Sequence, residues 1–196
     1  MKNILITFVL LSLPLTGYAA QKTERQKQTE QALKKGHEAL NQFKYVPKGL
    51  DLIPIPGEEN KREVALMHFQ HAILLDPKSA NAWFSTGFAE ARGNNYDDAL
   101  RFFKTALELA PDNFAVTMYT GLAYFQKNDV DNALKYLLKA EVLSPESGRI
   151  HGHLARAYYA KRDQDNALKQ LTLARQYKDS ISPDYLKQLS EIIDPK

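Results

Sequence analysis

The chain has 196 residues, enough for one domain of ordinary size, and its 44% hydrophobic and 25% charged content is globular in balance. It contains no cysteine, which excludes disulfides, thiolate catalysis and cysteine-ligated metals. The formal charge is +3 and becomes +2 once Lys2, the only charged residue in 1–19, is removed; neither value points to nucleic acid.

Met1–Ala19 has the make-up of a secretory signal peptide of bacterial type. Lys2 is the basic start, Ile4–Leu13 is apolar except for Thr7 and Ser12, and Pro14 follows. Gly17, Tyr18 and Ala19 place small residues on either side of Tyr18, so cleavage is expected after Ala19. The apolar run is shorter than the roughly 20 residues a membrane span needs. With no cysteine to carry a lipid, the expected product is periplasmic or secreted, a location that suits a cysteine-free chain.

Residues 20–79 read as an N-terminal helix, a loop and a degenerate opening unit. Gln21–Tyr45 is polar, with a sparse stripe of Ala32, Leu33, Ala39, Leu40 and Phe43. Tyr45–Asn60 carries Pro47, Pro54, Pro56, Gly49 and Gly57 and is not expected to be helical, although Leu50, Leu52, Ile53 and Ile55 are apolar. A loop of this length is expected either to cap its own domain or to dock a partner or a second copy. Lys61–Pro77 then has the pattern of a second helix, with Gln26–Phe43 as its first.

Three units of 34 residues follow, 80–113, 114–147 and 148–181. Gly87, Gly121 and Ala155 share one column; Ala99, Ala133 and Ala167 share another; Ala106, Ala140 and Ala174 a third. Small residues at helical spacing let two helices approach closely. The motif Asp97-Asp98-Ala99-Leu100 recurs as Asp131-Asn132-Ala133-Leu134 and Asp165-Asn166-Ala167-Leu168, and its acidic residues are expected to cap each second helix. Polar turns at 93–95, 128–129 and 162–163 separate the helices, and Pro111 and Pro145 close the first two units. Ala65, Phe69, Ala72, Leu75 and Pro77 repeat the spacing of Ala99, Phe103, Ala106, Leu109 and Pro111. Residues 182–196 open with an N-cap, Ser182, and a proline at the first helical position, and are expected to form a C-terminal capping helix.

These columns resemble the tetratricopeptide repeat (TPR). Trp83, Gly87, Ala99, Phe103, Ala106 and Pro111 match its pattern in the first regular unit, where Thr86 replaces the usual leucine. Gly121, Tyr124, Ala133, Ala140 and Pro145 match in the second; Leu154, Ala155, Tyr158, Ala167 and Ala174 match in the third, with Asp179 in place of the closing proline. The resemblance implies an all-α fold, a right-handed superhelical solenoid of antiparallel helix pairs. It also implies that first helices line a concave groove. Similar exported repeat proteins serve in pilus assembly, outer-membrane biogenesis, cytochrome maturation and cell-wall coordination.

No catalytic residue, metal ligand set or cofactor motif stands out. His68 and His71 are two ligands where zinc wants three or four. His151 and His153 point about 200° apart on a helix, and no phosphate loop, nucleophile elbow or zinc-protease motif is present. The reading is therefore a non-enzymatic module binding a protein or peptide, with no nucleic acid and no membrane span after signal cleavage. Once the core columns are assigned, the side chains left on the first helices are Asn81, Phe84 and Phe88; Met118, Leu122 and Phe125; and Arg149, His153, Arg156 and Tyr159. They form a groove that is apolar at its start and basic at its end, suited to an extended apolar segment of a cell-envelope protein with an acidic residue. The lysines and asparagines of the family's carboxylate-clamp grooves are absent: Phe84, Phe88 and Tyr119 occupy their columns. The alternative is a structural envelope protein that self-assembles into oligomers through the 45–60 loop or the repeat ends.

Overall fold

The computed structural model describes residues 5–41, 58–178 and 181–194, with side chains from residue 19 onward in the first segment and from residue 61 in the second. Among the described residues every regular element is a helix: α1 (Leu5–Asn41), α2 (Glu58–Leu75), α3 (Ala80–Arg92), α4 (Tyr96–Leu109), α5 (Phe114–Gln126), α6 (Val130–Leu143), α7 (Gly148–Ala160), α8 (Gln164–Gln176) and α9 (Pro183–Ile193). The chain divides into two compact units, residues 1–85 and 86–196, with the division falling inside α3.

In the first unit, α1 and α2 form one antiparallel pair. Ala65, Phe69 and Ala72 are fully buried on α2. The Phe69 ring lies against the bare backbone of Gly36, where an added Cβ would come within 2.3 Å of it. Ala32, Ala72 and Ala82 close the contact with the start of α3. Helix α2 begins at Glu58, so Glu58, Glu59 and Asn60 belong to it rather than to the expected loop. The remainder of the 45–60 loop lies outside the described residues. Helix α1 passes through Ala19 and Ala20 without a break. Among the described residues no helix is long and apolar enough to cross a membrane.

In the second unit, α5 pairs with α6 and α7 with α8, and α9 packs on α7 and α8. Each pair repeats the glycine contact or a variant of it. Gly87 meets the Phe103 ring, and Gly121 meets the Leu137 side chain and the Ala133 carbonyl. At Gly121 a Cβ would sit 2.9 Å from Leu137 Cγ, closer than real Cβ contacts come. One core cluster runs from Met118 through Leu134, Leu137 and Ala140 to Ile150, Leu154 and Ala157. A second joins Ala155, Ala167, Leu171 and Ala174 to Ile181, Leu189 and Ile193.

The turns between paired helices close in one way. Asn94, Asn128 and Arg162 adopt left-handed φ of 62°, 61° and 65°. The next N–H then reaches back to the last turn of the first helix, as in Asp129 N–H to Tyr124 O at 3.0 Å and Asp163 N–H to Tyr158 O at 3.0 Å. The caps of the second helices differ from expectation. Asp129 and Asp163 are the N-caps of α6 and α8, accepting from the backbone N–H groups of Asn132 and Asn166. Asp131 and Asp165 sit in the first helical turn, where their charge complements the helix dipole. In α4 the cap position is Asn95, and Asp97 and Asp98 likewise lie in the first turn. The two capping carboxyls are held below the usual range by the hydrogen bonds from Asn132 and Asn166. The acidic residues of the repeated motif link successive units instead: Lys127 pairs with Asp97, and Lys161 with Asp131 at 2.6 Å.

Gly121→Leu places a branched side chain where Leu137 already stands. It is expected to destabilise the protein by about 1–3 kcal/mol or more, read as a fall in melting temperature. An unchanged melting temperature would show that α5 and α6 do not meet at this column.

Candidate protein-binding face

The first helices of the second unit present one continuous stripe. Phe88 on α3 meets Tyr119 on α5 edge to face, with ring centroids 5.0 Å apart. Phe125 on α5 lies under the Arg156 guanidinium of α7, 4.7 Å from its ring centroid. On α7, His153 faces Tyr185 of α9, with Nδ1 3.2 Å from the phenol oxygen. Three side-chain contacts thus carry the stripe from α3 through α5 and α7 to α9.

The expected groove residues divide by exposure. Arg149, Arg156 and Tyr159 are exposed; Phe88, Leu122, Phe125 and His153 are partly covered. Leu122 and Phe125 lean on the core cluster under α5 and α7. Met118 is a correction: it is only 2% exposed and belongs to that cluster with Ile150 and Leu154. Its column faces the next unit rather than the groove, and Gly152, one period on, is pressed against Ile181, Leu189 and Tyr185. Asn81, exposed, and Phe84, half-buried, lie in the first unit. The stripe described here therefore runs from Phe88 onward.

Tyr185 is a residue the sequence reading left in the capping helix. It stands one 34-residue period after His151, and Leu189 stands one period after Ala155. Carrying the period one step further would have found it, because α9 packs as the first helix of another unit. Burial pushes the Tyr185 phenol up, while a hydrogen bond and the charge of Arg156 act against that shift.

Charge is concentrated on α7. His153 is lowered to about 4, first by burial and then by the positive fields of Arg156 and Arg149. The imidazole is therefore neutral at neutral pH, with Nδ1 within hydrogen-bond distance of the Tyr185 hydroxyl. Two exposed guanidinium groups whose fields converge on one spot, beside an aromatic row, form a place for a carboxylate on an otherwise apolar ligand. The other α7 histidine, His151, points away from this face into the contact with α8. Among the described residues no group of three His, Cys, Asp or Glu side chains is placed to hold a metal ion.

This architecture, helix pairs repeating every 34 residues with an open first-helix face, is that of a helical-repeat scaffold. The family model described as "Tetratricopeptide repeat" matches residues 57–114, 89–147 and 120–181. The chain belongs to the tetratricopeptide repeat family. No curated protein matches the sequence. Among solved structures, the crystal structure of MamA is similar with a TM-score of 0.63 and 20% identity, over 77% of this chain and 78% of that one. A thermophilic TPR protein of Thermus thermophilus is similar with a TM-score of 0.66 and 18% identity, over 85% of this chain and 84% of that one. A chain in the crystal structure of the APC/C hetero-tetramer Cut9–Hcn1 aligns with a TM-score of 0.60 and 18% identity, over 70% of this chain but 28% of its own. These likenesses establish the fold. Proteins of this fold are generally protein–protein interaction modules and typically non-enzymatic scaffolds.

The neutral state of His153 has a pH consequence. The unfolded chain takes up this proton near the ordinary value of 6.5, while the native state resists it down to about 4. Stability should therefore fall as pH drops through that window and should lose nothing more from this group below it. His153→Gln should flatten this part of the melting-temperature profile relative to the parent; superimposable acid limbs would refute the assignment.

Proposed function

We propose that the first-helix face of residues 86–196 binds an extended segment of a cell-envelope protein and that the chain serves as a non-enzymatic adaptor. The segment is apolar over most of its length and carries an acidic side chain. The observation that carries this reading is the pairing of the aromatic row, Phe88–Tyr119 and Phe125, with the two exposed guanidinium groups of Arg149 and Arg156. An arginine binds a carboxylate through two parallel hydrogen bonds, which fixes the ligand's register as well as its charge. The apolar row supplies area without demanding one sequence.

Selection from a random peptide display library against the full chain is the direct test. Parent protein should enrich peptides with aliphatic or aromatic residues around an Asp or Glu. The variant Arg149→Glu/Arg156→Glu should lose them or select basic residues in their place, while keeping its helical circular dichroism. Equal enrichment of the same peptides by parent and folded variant would move the site off this face.

The envelope location rests on the basic, apolar and small-residue pattern of 1–19. Expression of the full chain in a bacterial host, fractionation and N-terminal sequencing should give a periplasmic product beginning at Ala20. A product that retains Lys2 and remains in the cytoplasm would overturn the assignment.

A further inference from the structure

Two joints between second helices use the same repeat columns and are filled differently. Between α6 and α8, Gln170 Nε2 donates to Glu141 Oε1 at 3.1 Å and ties the two helices together. One 34-residue period earlier, between α4 and α6, the same columns hold Tyr136 and Leu107. A leucine has no polar atom with which to bridge. The Tyr136 ring turns instead to its own helix pair and stacks on Tyr124, with centroids 5.5 Å apart and planes 15° from parallel. Thr120 of α5 stands in the column of Leu154 and is the smaller side chain. These exchanges leave a cleft of about 410 Å³ between α4 and α6, with Thr120 in its lining. Small-molecule sites run from roughly 300 to 1,000 Å³.

The lining sorts by chemistry. Leu100 and Leu107 of α4 are half-buried apolar walls, and the Tyr124–Tyr136 pair supplies an aromatic one. The Thr120 hydroxyl is already used, donating to the Val116 carbonyl at 2.7 Å. The rim on α4 is charged and exposed: Arg101, Lys104 and Glu108. Arg101 is paired with Asp98 at 3.0 Å, whereas Lys104 forms no ion pair with any described residue. Lys135 Nζ, 5.8 Å from the Tyr136 ring centroid, adds positive charge to the same joint. In the next joint the columns of Lys104 and Glu108 hold Leu138 and Val142, so the charged rim belongs to this cleft alone of the two.

We infer that the cleft between α4 and α6 is a second binding site, separate from the first-helix face, and that its ligand is a small aryl carboxylate. The ligand ring lies between the leucine walls and the tyrosine pair, where aromatic rings gain from offset or edge-on contact beyond the area they bury. Its carboxylate meets the Lys104 ammonium at the rim. A neutral ligand of the same shape forgoes that ion pair, and a cationic one is repelled by Lys104 and Lys135. The bound ligand touches both α4 and α6, as the Gln170–Glu141 bridge joins α8 to α6, so occupancy braces the joint between two units. This inference is independent of what the first-helix face binds.

Titration of the 15N-labelled full-length protein with 2-naphthylacetate is the test. Saturable shifts are expected at the amides of 100–108 and of Tyr136, with a melting temperature that rises as ligand is added. The neutral analogue 2-naphthylethanol should bind about three- to fivefold more weakly, the most that one exposed ion pair contributes. Lys104→Leu, which copies the residue of the next unit's column, should keep the fold and bind the two compounds equally. Thr120→Leu copies Leu154, fills the cleft and should bind neither. Equal affinity of the parent for both compounds would overturn the proposal. So would a charge preference that survives Lys104→Leu, or shifts that fall outside α4, α5 and α6.

Discussion

Three of the four helix pairs are held where a large side chain of the second helix lies on a stretch of the first that has no side chain. Phe69 lies on Gly36, Phe103 on Gly87 and Leu137 on Gly121. A glycine inside a helix costs about 0.5–1 kcal/mol relative to alanine. Full burial of a Phe or Leu side chain contributes about 1.5–3 kcal/mol, so the exchange is favourable as long as the fit is close. The closeness sets the distance between the helices and hence the angle at which every other residue of the first helix is presented. The face that remains open is a consequence of that contact.

The joints between units follow a second economy. The carbonyl of each closing proline is exposed by the end of a helix, and each finds a donor from a different residue type: an indole, an ammonium and an imidazole. The turns within α3–α4, α5–α6 and α7–α8 each place a residue at positive φ, and in α7–α8 that residue is Arg162 rather than an asparagine or glycine. Pairing of Lys127 with Asp97 and of Lys161 with Asp131 adds a recurring tie across the surface. Exposed pairs of this kind contribute little each. Their regular spacing matters more for the register between units than for total stability.

Much of this was legible in the sequence because the period is constant. Ala99, Phe103 and Ala106 could be assigned to the core by column, and Ala65, Phe69 and Ala72 by analogy, without knowing which helix touches which. What escaped were features that depend on the neighbouring unit. Met118 looked free because its column was read as facing the groove; it lies in one cluster with Leu134 and Leu137 of α6 and with Ile150 and Leu154 of the next unit. Asp131 looked like a cap because its residue type suits one, but the helix begins two residues earlier and leaves Asp129 at the boundary. Tyr185 was hidden because the period loses its glycine, alanine and proline landmarks after Ile181, though its spacing persists. Gly36 was hidden because the 45–60 loop displaces α1 from the register of α2.

Helix α7 brings these constraints together. His151 and His153 are two residues apart, so they face opposite sides of one helix and live in opposite electrostatic surroundings. His151 meets the Gln170 amide on one nitrogen, the Pro145 carbonyl on the other and the Glu141 carboxylate at 3.4 Å. His153 is held neutral first by its burial and then by the fields of Arg156 and Arg149. The neutrality of His153 has a use on the open face. A third positive charge there would repel the two guanidinium groups and weaken the contact of Arg156 with Tyr185. With the ring neutral, Tyr185 can donate to His153 and accept from Arg156, so one phenol helps to hold the guanidinium over Phe125. Arg156 is thus braced by two aromatic side chains, and for the proposed carboxylate ligand the side-chain entropy to be lost on binding would be correspondingly smaller.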